Sequence, residues 1–268
     1  MHSNPVITSS HNPFFRNCLQ LRDNRKRKRS KLFLIDGTME ITHAIAAGLK
    51  IQSLIVSEKG CLDESLLQLC DLQSIPIQPL AKNLLEKLSY GQWDEQPIAV
   101  AEQPELLLQS LQLDSTSLVL VLDRTEKPGN LGACMRSAAA CGVDCVVLTD
   151  PICDPFNANA IRASRGTMFR VPLAIATRHQ FVDAAGGAGL PIYAARVDAQ
   201  VTLWDLPLDQ GAAIVFGNEA EGLSDEWRGG SGKDFTIPMS SRADSLNLSI
   251  SAAVTLYEAH RQRLAKQI

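Results

Sequence analysis

Three continuous apolar runs constrain this chain more than any other feature. They are Ser117–Leu122 (S-L-V-L-V-L), Val143–Thr149 (V-D-C-V-V-L-T) and Ala212–Phe216 (A-A-I-V-F). Unalternating runs of this length belong to strands covered on both faces, and such strands build parallel sheets flanked by helices. Pro191–Ala195 and Phe235–Ile237 read as two further strands. Asn130–Cys141, stopped by Gly142, reads as a helix, as does the stretch from Ser245 to Lys266. The predicted fold class is α/β, with a mostly parallel sheet over residues 117–268.

The first half reads as a separate, smaller α/β unit over residues 13–102, after a flexible stretch at 1–12 and before a partly helical linker at 103–116. Its predicted strands are Lys31–Ile35, Ile51–Val56, Ile75–Ile77 and Pro97–Ala101. Its predicted helices are Thr38–Ala47, with Thr38 as N-cap and Gly48 as stop, Leu62–Leu72 and Ala81–Leu88. At 268 residues and 45% hydrophobic content the chain can fill two cores, which excludes disorder of the whole chain. No apolar run reaches the roughly 18 residues of a membrane span. Met1–Ser10 lacks the apolar region of a secretory leader, so none is expected.

The formal net charge of −3 conceals an asymmetry. Residues 16–31 hold eight basic residues and one acidic, which leaves 18 basic against 28 acidic in the rest. A basic segment on an otherwise acidic chain points to a polyanion held at one end. A solvated tail explains the same charges, and K-R-K-R also resembles a nuclear signal. The seven cysteines, Cys18, Cys61, Cys70, Cys134, Cys141, Cys145 and Cys153, include no C-x-x-C pair. They read as buried thiols in a reducing cytoplasm, not as disulfides or metal ligands. The five histidines show no paired metal spacing.

In open parallel sheets ligands bind beyond the carboxyl ends of the strands, so the loops there carry the candidates. Asp123–Val143 leaves a strand and enters a helix of small residues near Asn130, a good N-cap, with Arg136 as its one long charged side chain. Taken alone, Arg136 is more commonly a surface arginine. Ile214–Ser224 runs off a buried strand into Gly217, Asn218 and Glu219; a plain turn capped by Ser224 also accounts for it. Ile237–Val254 opens the last helix at Ser245 and Asn247, where capping alone suffices. No strand-linked G-x-G-x-x-G, no P-loop and no G-x-S-x-G is present. The A-G-G-A-G at Ala185–Gly189 precedes a strand and reads as a loop.

At these three loops the sequence resembles the SpoU (TrmH-type) branch of the SPOUT methyltransferases. The similar segments are N-L-G-A-C-M-R-S-A at Asn130–Ala138, F-G-N-E-A-E-G-L at Phe216–Leu223, and I-P-M with S-L-N-L-S-I-S-A-A at Ile237–Met239 and Ser245–Ala253. Ile161–Pro172 is similar to the family's intervening segment. The N-terminal part, through L-R-D and F-L-I-D-G-T-M-E-I-T-H-A-I-A-A-G, resembles the small RNA-binding domain that precedes the catalytic domain in many members. Two positions depart from the family pattern, Ala220 and the Ser240–Ser241 pair, each where glycine is usual.

The resemblance implies a C-terminal trefoil knot, a homodimer and S-adenosylmethionine as cofactor. It implies methylation of a ribose 2′-hydroxyl in structured RNA, with rRNA favoured over tRNA. It places Arg136, Asn130, Glu219 and Ser245 in catalysis, and Gly217, Ile237, Met239, Leu246 and Asn247 around the cofactor. Arg22, Arg25, Lys26, Arg27, Lys28, Arg29 and Arg165 become candidate RNA contacts. No metal and no membrane is implied. A tRNA methyltransferase, or a non-catalytic RNA-binding protein on the same fold, are the alternatives.

Overall fold

A computed structural model describes residues 4–60, 62–91, 95–228 and 232–266. Cys61, predicted to be a buried thiol, lies outside the described residues. The chain divides into two compact units, one of residues 1–105 with 154–170, the other of 106–153 with 171–268.

In the first unit the basic segment is helical. Helix α1 (Pro13–Gln20) begins at Asn12, whose side chain accepts from the Phe14 and Phe15 amides. Helix α2 (Asn24–Ser30) begins at Asp23, which accepts from Arg25 and Lys26 N–H. Arg27, Lys28 and Arg29 fall in its last turn, where cations oppose the helix dipole. Then follow β1 (Leu32–Asp36), α3 (Thr38–Ala46), β2 (Ile51–Ser57), α4 (Glu64–Leu72), β3 (Ile77–Leu80), α5 (Lys82–Leu88) and β4 (Ile98–Glu102). The sheet order is β1-β4-β2-β3, with only β2 and β3 parallel. Phe15, Cys18, Leu34, Ile55, Leu85 and Ile98 fill the core against α1 and α5.

Several local expectations change here. Thr38 is the first residue of α3, not its cap; Gly37, at φ 105°, takes that place, and Thr38 Oγ1 donates to Gln96 Oε1. Residues 4–12, predicted to be flexible, run beside β3. Ile7 exchanges backbone hydrogen bonds with Pro79 and Ala81, and Gln78 donates to the Pro5 carbonyl. A short stretch with no periodicity is invisible in sequence when an edge strand supplies its partners.

The second unit holds β5 (Leu118–Asp123), α6 (Pro128–Ala140) and β6 (Cys145–Thr149). The next segment, 154–170 with α7 (Ala158–Ser164), clusters with the first unit instead. There Phe156 packs on Phe33, ring centroids 4.6 Å apart. A single continuous unit over 117–268 therefore does not describe the packing. The second unit resumes with β7 (Leu173–Ala176), α8 (Arg178–Gly187), β8 (Ile192–Ala195), β9 (Val201–Thr202), β10 (Ala212–Phe216), β11 (Asp234–Thr236) and α9 (Leu248–Lys266). The order is β7-β6-β5-β10-β8-β11-β9, with every pairing parallel. Strands β7 and β9 add to the predicted set, being too short to show a run in sequence. Residues 106–113, predicted as linker, belong to this unit, and Leu107 bridges Ile175 on β7.

The polarity of this sheet positions the site. Strand β5 has β6 on one side and β10 on the other, so the chain leaves β5 and β10 in different directions. That divergence opens a crevice at their carboxyl ends, the usual ligand position in such sheets.

Candidate active site

The crevice is a cavity of about 540 Å³. It takes Lys127 from the β5 loop, Gly217–Leu223 after β10, Ala195–Val197 after β8, Thr236, Ile237 and Met239 after β11, and 244–248 ahead of α9. Five chain segments thus meet beyond one end of one sheet.

Three polar side chains from the three candidate loops form a continuous hydrogen-bonded chain, of which Asn247 and Glu219 line the cavity and Asn130 links them from behind it. Asn247 Nδ2 donates to Asn130 Oδ1 at 3.2 Å. Asn130 Nδ2 donates to Glu219 Oε1 at 2.7 Å. The other carboxylate oxygen, Glu219 Oε2, is buried with no partner among the described residues. An unpartnered buried acceptor costs about 1–3 kcal/mol, so its presence marks a place for a donor. Burial, and after it the Glu219 carboxylate, hold the neighbouring Cys134 thiol well above its usual range.

Local chemistry explains these positions. Asn130 is not the N-cap of α6. The helix starts at Pro128, whose missing N–H costs nothing at a first position, so Asn130 sits inside the first turn and its amide points across to Glu219. Asn247 does cap its helix. Its Oδ1 accepts from Ser249 N and Oγ, and its carbonyl accepts from Ile250 and Ser251 N–H. Helix α9 therefore starts at Leu248, later than the Ser245 predicted. Ser224 makes no side-chain capping bond.

Asn218 is the residue that sequence reasoning undervalued. It is buried, donates to the Arg124 carbonyl at 3.0 Å, and accepts from Ala220 and Glu221 N–H. It thereby folds the loop that carries Glu219 and ties it to the β5 loop. Gly217 is required by the same loop. A Cβ there would overlap the Gly222 carbonyl and the Leu223 nitrogen. The Gly-Asn pair following a buried strand was the available signal.

Ile237, Met239, Leu246 and Ser245 all line the cavity. Met239 and Leu246 are each 36% exposed, an unusual state for apolar side chains inside a concave site. Such walls, with main-chain groups between them, suit a flat apolar ring bearing polar edges. Arg136 is elsewhere: it is exposed on α6, does not line the cavity, and has no side-chain partner among the described residues.

Beneath the crevice, Asp123 accepts from Thr149 Oγ1 at 2.7 Å. Burial holds its carboxyl above the ordinary carboxylate range. A raised folded pKa means the acid form favours the folded state. That contribution is complete below the unfolded value of about 3.9 and is lost as pH rises through the folded pKa. The Asp123→Asn chain is expected to gain stability relative to the unaltered chain as pH rises across that window. Urea midpoints compared at pH 4 and pH 7 check this; a constant difference would refute it.

The basic candidates separate into two groups. Arg22 and Arg27 are structural, which corrects their assignment as RNA contacts. Arg22 forks onto Asp36 at 2.7 and 2.5 Å and donates to the Leu88 carbonyl. Arg27 is buried, 2.7 Å from Asp154, and donates to the Leu21 and Arg22 carbonyls. Arg25, Lys26, Lys28, Arg29 and Arg165 are exposed. Arg165 ends α7 at φ 52°. No cluster of three His, Cys, Asp or Glu side chains among the described residues is placed to hold a metal, and no described helix is long and apolar enough to cross a membrane.

Residues 117–257 match the SpoU rRNA Methylase family, and residues 4–113 match the family described as Thiostrepton-resistance methylase, N terminus. The chain is 30% identical over 267 residues to the 23S rRNA (uridine(2479)-2′-O)-methyltransferase of Streptomyces viridochromogenes, covering 96% of this chain and 92% of that one. It is 34% identical to an RNA 2′-O ribose methyltransferase of known structure, with TM-score 0.83 over 97% of this chain and 100% of that one. The Streptomyces viridochromogenes SpoU methyltransferase AviRb, solved in complex with AdoMet, is 27% identical with TM-score 0.87, over 95% of this chain and 99% of that one. The chain belongs to the SpoU rRNA methylase family.

Proposed function

We propose that this chain transfers the methyl group of S-adenosylmethionine to a ribose 2′-hydroxyl of rRNA. The observation that carries the reading is the Asn247–Asn130–Glu219 hydrogen-bond chain, which ties three distant motifs together at the wall of one cavity. Relatives matching along nearly the whole chain act on 23S rRNA, which supports rRNA over tRNA. The residues present fit the cofactor. Ile237, Met239 and Leu246 offer an apolar slot, and Glu219 Oε2 offers an acceptor without a donor. Glu219, Glu221 and Asp244 outnumber the lining cations Lys127 and Arg196, which suits a ligand carrying a sulfonium.

When bound, the cofactor supplies a methyl group already activated by its positive sulfur. The chain must then position the ribose hydroxyl and help it lose its proton. Ser245, exposed at the lip, is the polar group available to orient it, while Asn130 holds Glu219 and Asn247 in place behind the lining. Arg136 stays protonated and is therefore no base. It binds a phosphate next to the target and stabilises the developing alkoxide, while the proton leaves through phosphate or water.

Arg136 reaches a cavity only in a homodimer, which is part of this proposal. Helix α6, which carries it, packs on α9, and α9 exposes Ile250, Tyr257 and Leu264 at seven-residue intervals. That spacing puts all three on one face, an apolar stripe fitted to a second copy. A trefoil knot at β10–α9 and a cytoplasmic location complete the reading. The knot is supported by β11 pairing inside the sheet before α9 returns to α6.

Incubation with labelled S-adenosylmethionine and total rRNA, followed by mapping of 2′-O-methyl sites, tests the activity. Cofactor binding without transfer to any RNA would favour the non-catalytic alternative. RNA docking is assigned to α2. Neutralising Arg25, Lys26, Lys28 and Arg29 together is expected to raise the apparent KM for RNA and flatten its salt dependence. The slope is expected to fall by about 0.7–0.9 for each phosphate no longer neutralised. Unchanged salt dependence would reject that assignment.

A further inference from the structure

A second cavity, of about 670 Å³, lies wholly in the first unit, between α1, α2 and one face of the four-stranded sheet. Its volume is within the roughly 300–1,000 Å³ usual for small-ligand sites. It shares no residue with the active-site crevice. The floor is apolar, from Phe14, Leu21 and Val100. The walls carry the carboxamides of Asn17, Gln20, Gln52 and Gln78, and the lip carries Lys26 and Arg29.

Three properties narrow what such a cavity takes. No carboxylate is among its lining residues, and Glu102, which accepts from the Gln52 wall residue, is paired with Lys50. The side chains of Asn17, Gln20, Lys26 and Arg29 have no hydrogen-bond or ion-pair partner among the described residues, although helix capping and ion pairs occupy their neighbours. Gln52 and Gln78 donate, to Glu102 and to the Pro5 and Pro79 carbonyls, but their amide oxygens accept nothing among the described residues. A carboxamide both donates and accepts, so it pairs with the edge of a heterocyclic base. An apolar floor containing a phenyl ring covers the base's face. Lysine and arginine at the lip meet the phosphate that follows.

We infer that this cavity binds an unstacked nucleotide of the RNA substrate, with the base inside and its phosphate on Lys26 and Arg29. Sequence-specific RNA recognition works through splayed bases of this kind, because the grooves of paired RNA hide base edges. The basic helix α2 then has two tasks: attraction without sequence information from Arg25 and Lys28, and placement of one base from Lys26 and Arg29. The inference rests on the RNA-substrate reading above.

The test uses the full chain and fluorescence anisotropy with fluorescein-labelled adenosine and uridine pentanucleotides, against an abasic ribose-phosphate pentamer of equal charge. At least one base-bearing oligonucleotide is expected to bind about tenfold or more tightly than the abasic one, a difference of roughly 1.4 kcal/mol. The Asn17→Ala/Gln20→Ala chain, altered at two exposed positions, is expected to lose that gap while keeping its affinity for the abasic pentamer. The Lys26→Ala/Arg29→Ala chain is expected to weaken all three together. Equal binding of base-bearing and abasic pentamers, no binding of either base-bearing one, or a gap that survives in the Asn17→Ala/Gln20→Ala chain overturns the inference. Displacement of the oligonucleotide by oleate at the same cavity would assign an apolar acid instead. Methyl transfer to rRNA by the unaltered chain, measured separately, reports on the proposed activity and not on this cavity.

Discussion

The Arg136→Ala chain is expected to lose methyl transfer almost entirely while binding S-adenosylmethionine nearly as well as the unaltered chain. Arg136 is exposed, lies outside the cavity lining and has no side-chain partner among the described residues, so its removal leaves the Asn247–Asn130–Glu219 chain and the apolar walls in place. In the proposed role, what it removes is the cation that meets the developing alkoxide and the adjacent phosphate. Loss of one such donor costs about 10²–10³ in turnover. Arg136→Lys is expected to recover only part of this, because a point charge cannot grip phosphate with two parallel bonds. Calorimetric titration of the cofactor and single-turnover methylation of rRNA separate the two readouts. Near-normal methylation by Arg136→Ala would sink the assignment, and so would a matching loss of cofactor affinity.

The second large effect is on stability and falls at Arg27. Its guanidinium and the Asp154 carboxylate are 4% and 7% exposed and 2.7 Å apart. Arg27 also satisfies two backbone carbonyls that end the turn between α1 and α2. Arg27→Ala leaves a buried carboxylate without its partner, and breaking such a pair costs about 3–5 kcal/mol. The expected result is a lower urea midpoint, with faster hydrogen exchange in residues 13–36 and 154–170. Lys28, its exposed neighbour, serves as the control: Lys28→Ala is expected to stay within about 0.5 kcal/mol. If the two variants unfold alike, the buried pair does not hold this unit together.

Arg27 and Lys28 also show where sequence reading stops. In K-R-K-R the four cations are equivalent, and charge counting sends all of them to a polyanion. Helix geometry separates them, because successive side chains on a helix point about 100° apart and one of the four must face inward. Its partner, Asp154, is more than a hundred residues away in a segment that sequence order places in the other half of the chain. The same distance hid the role of Asn130. As a residue near a helix start it reads as a cap, and only the fold shows Glu219 and Asn247 beside it.

The apolar runs at Leu118–Asp123, Cys145–Thr149 and Ala212–Phe216 needed no tertiary information to be read as buried strands, since runs apolar on both faces have no other stable place. Two of the three loop motifs were legible for a similar reason: they follow Leu118–Asp123 and Ala212–Phe216, where chain direction alone points toward a ligand, whereas the third follows the short strand β11. What sequence determined about this protein is therefore its α/β class, its strand ends and the chemistry gathered there. Tertiary structure decided strand order, the membership of 154–170, the split of the basic residues into buried pairs and free charges, and the carboxamide-lined cavity beside α1. These depend on which distant surfaces meet, and burial and hydrogen-bond partnership are properties of that meeting, not of any residue by itself.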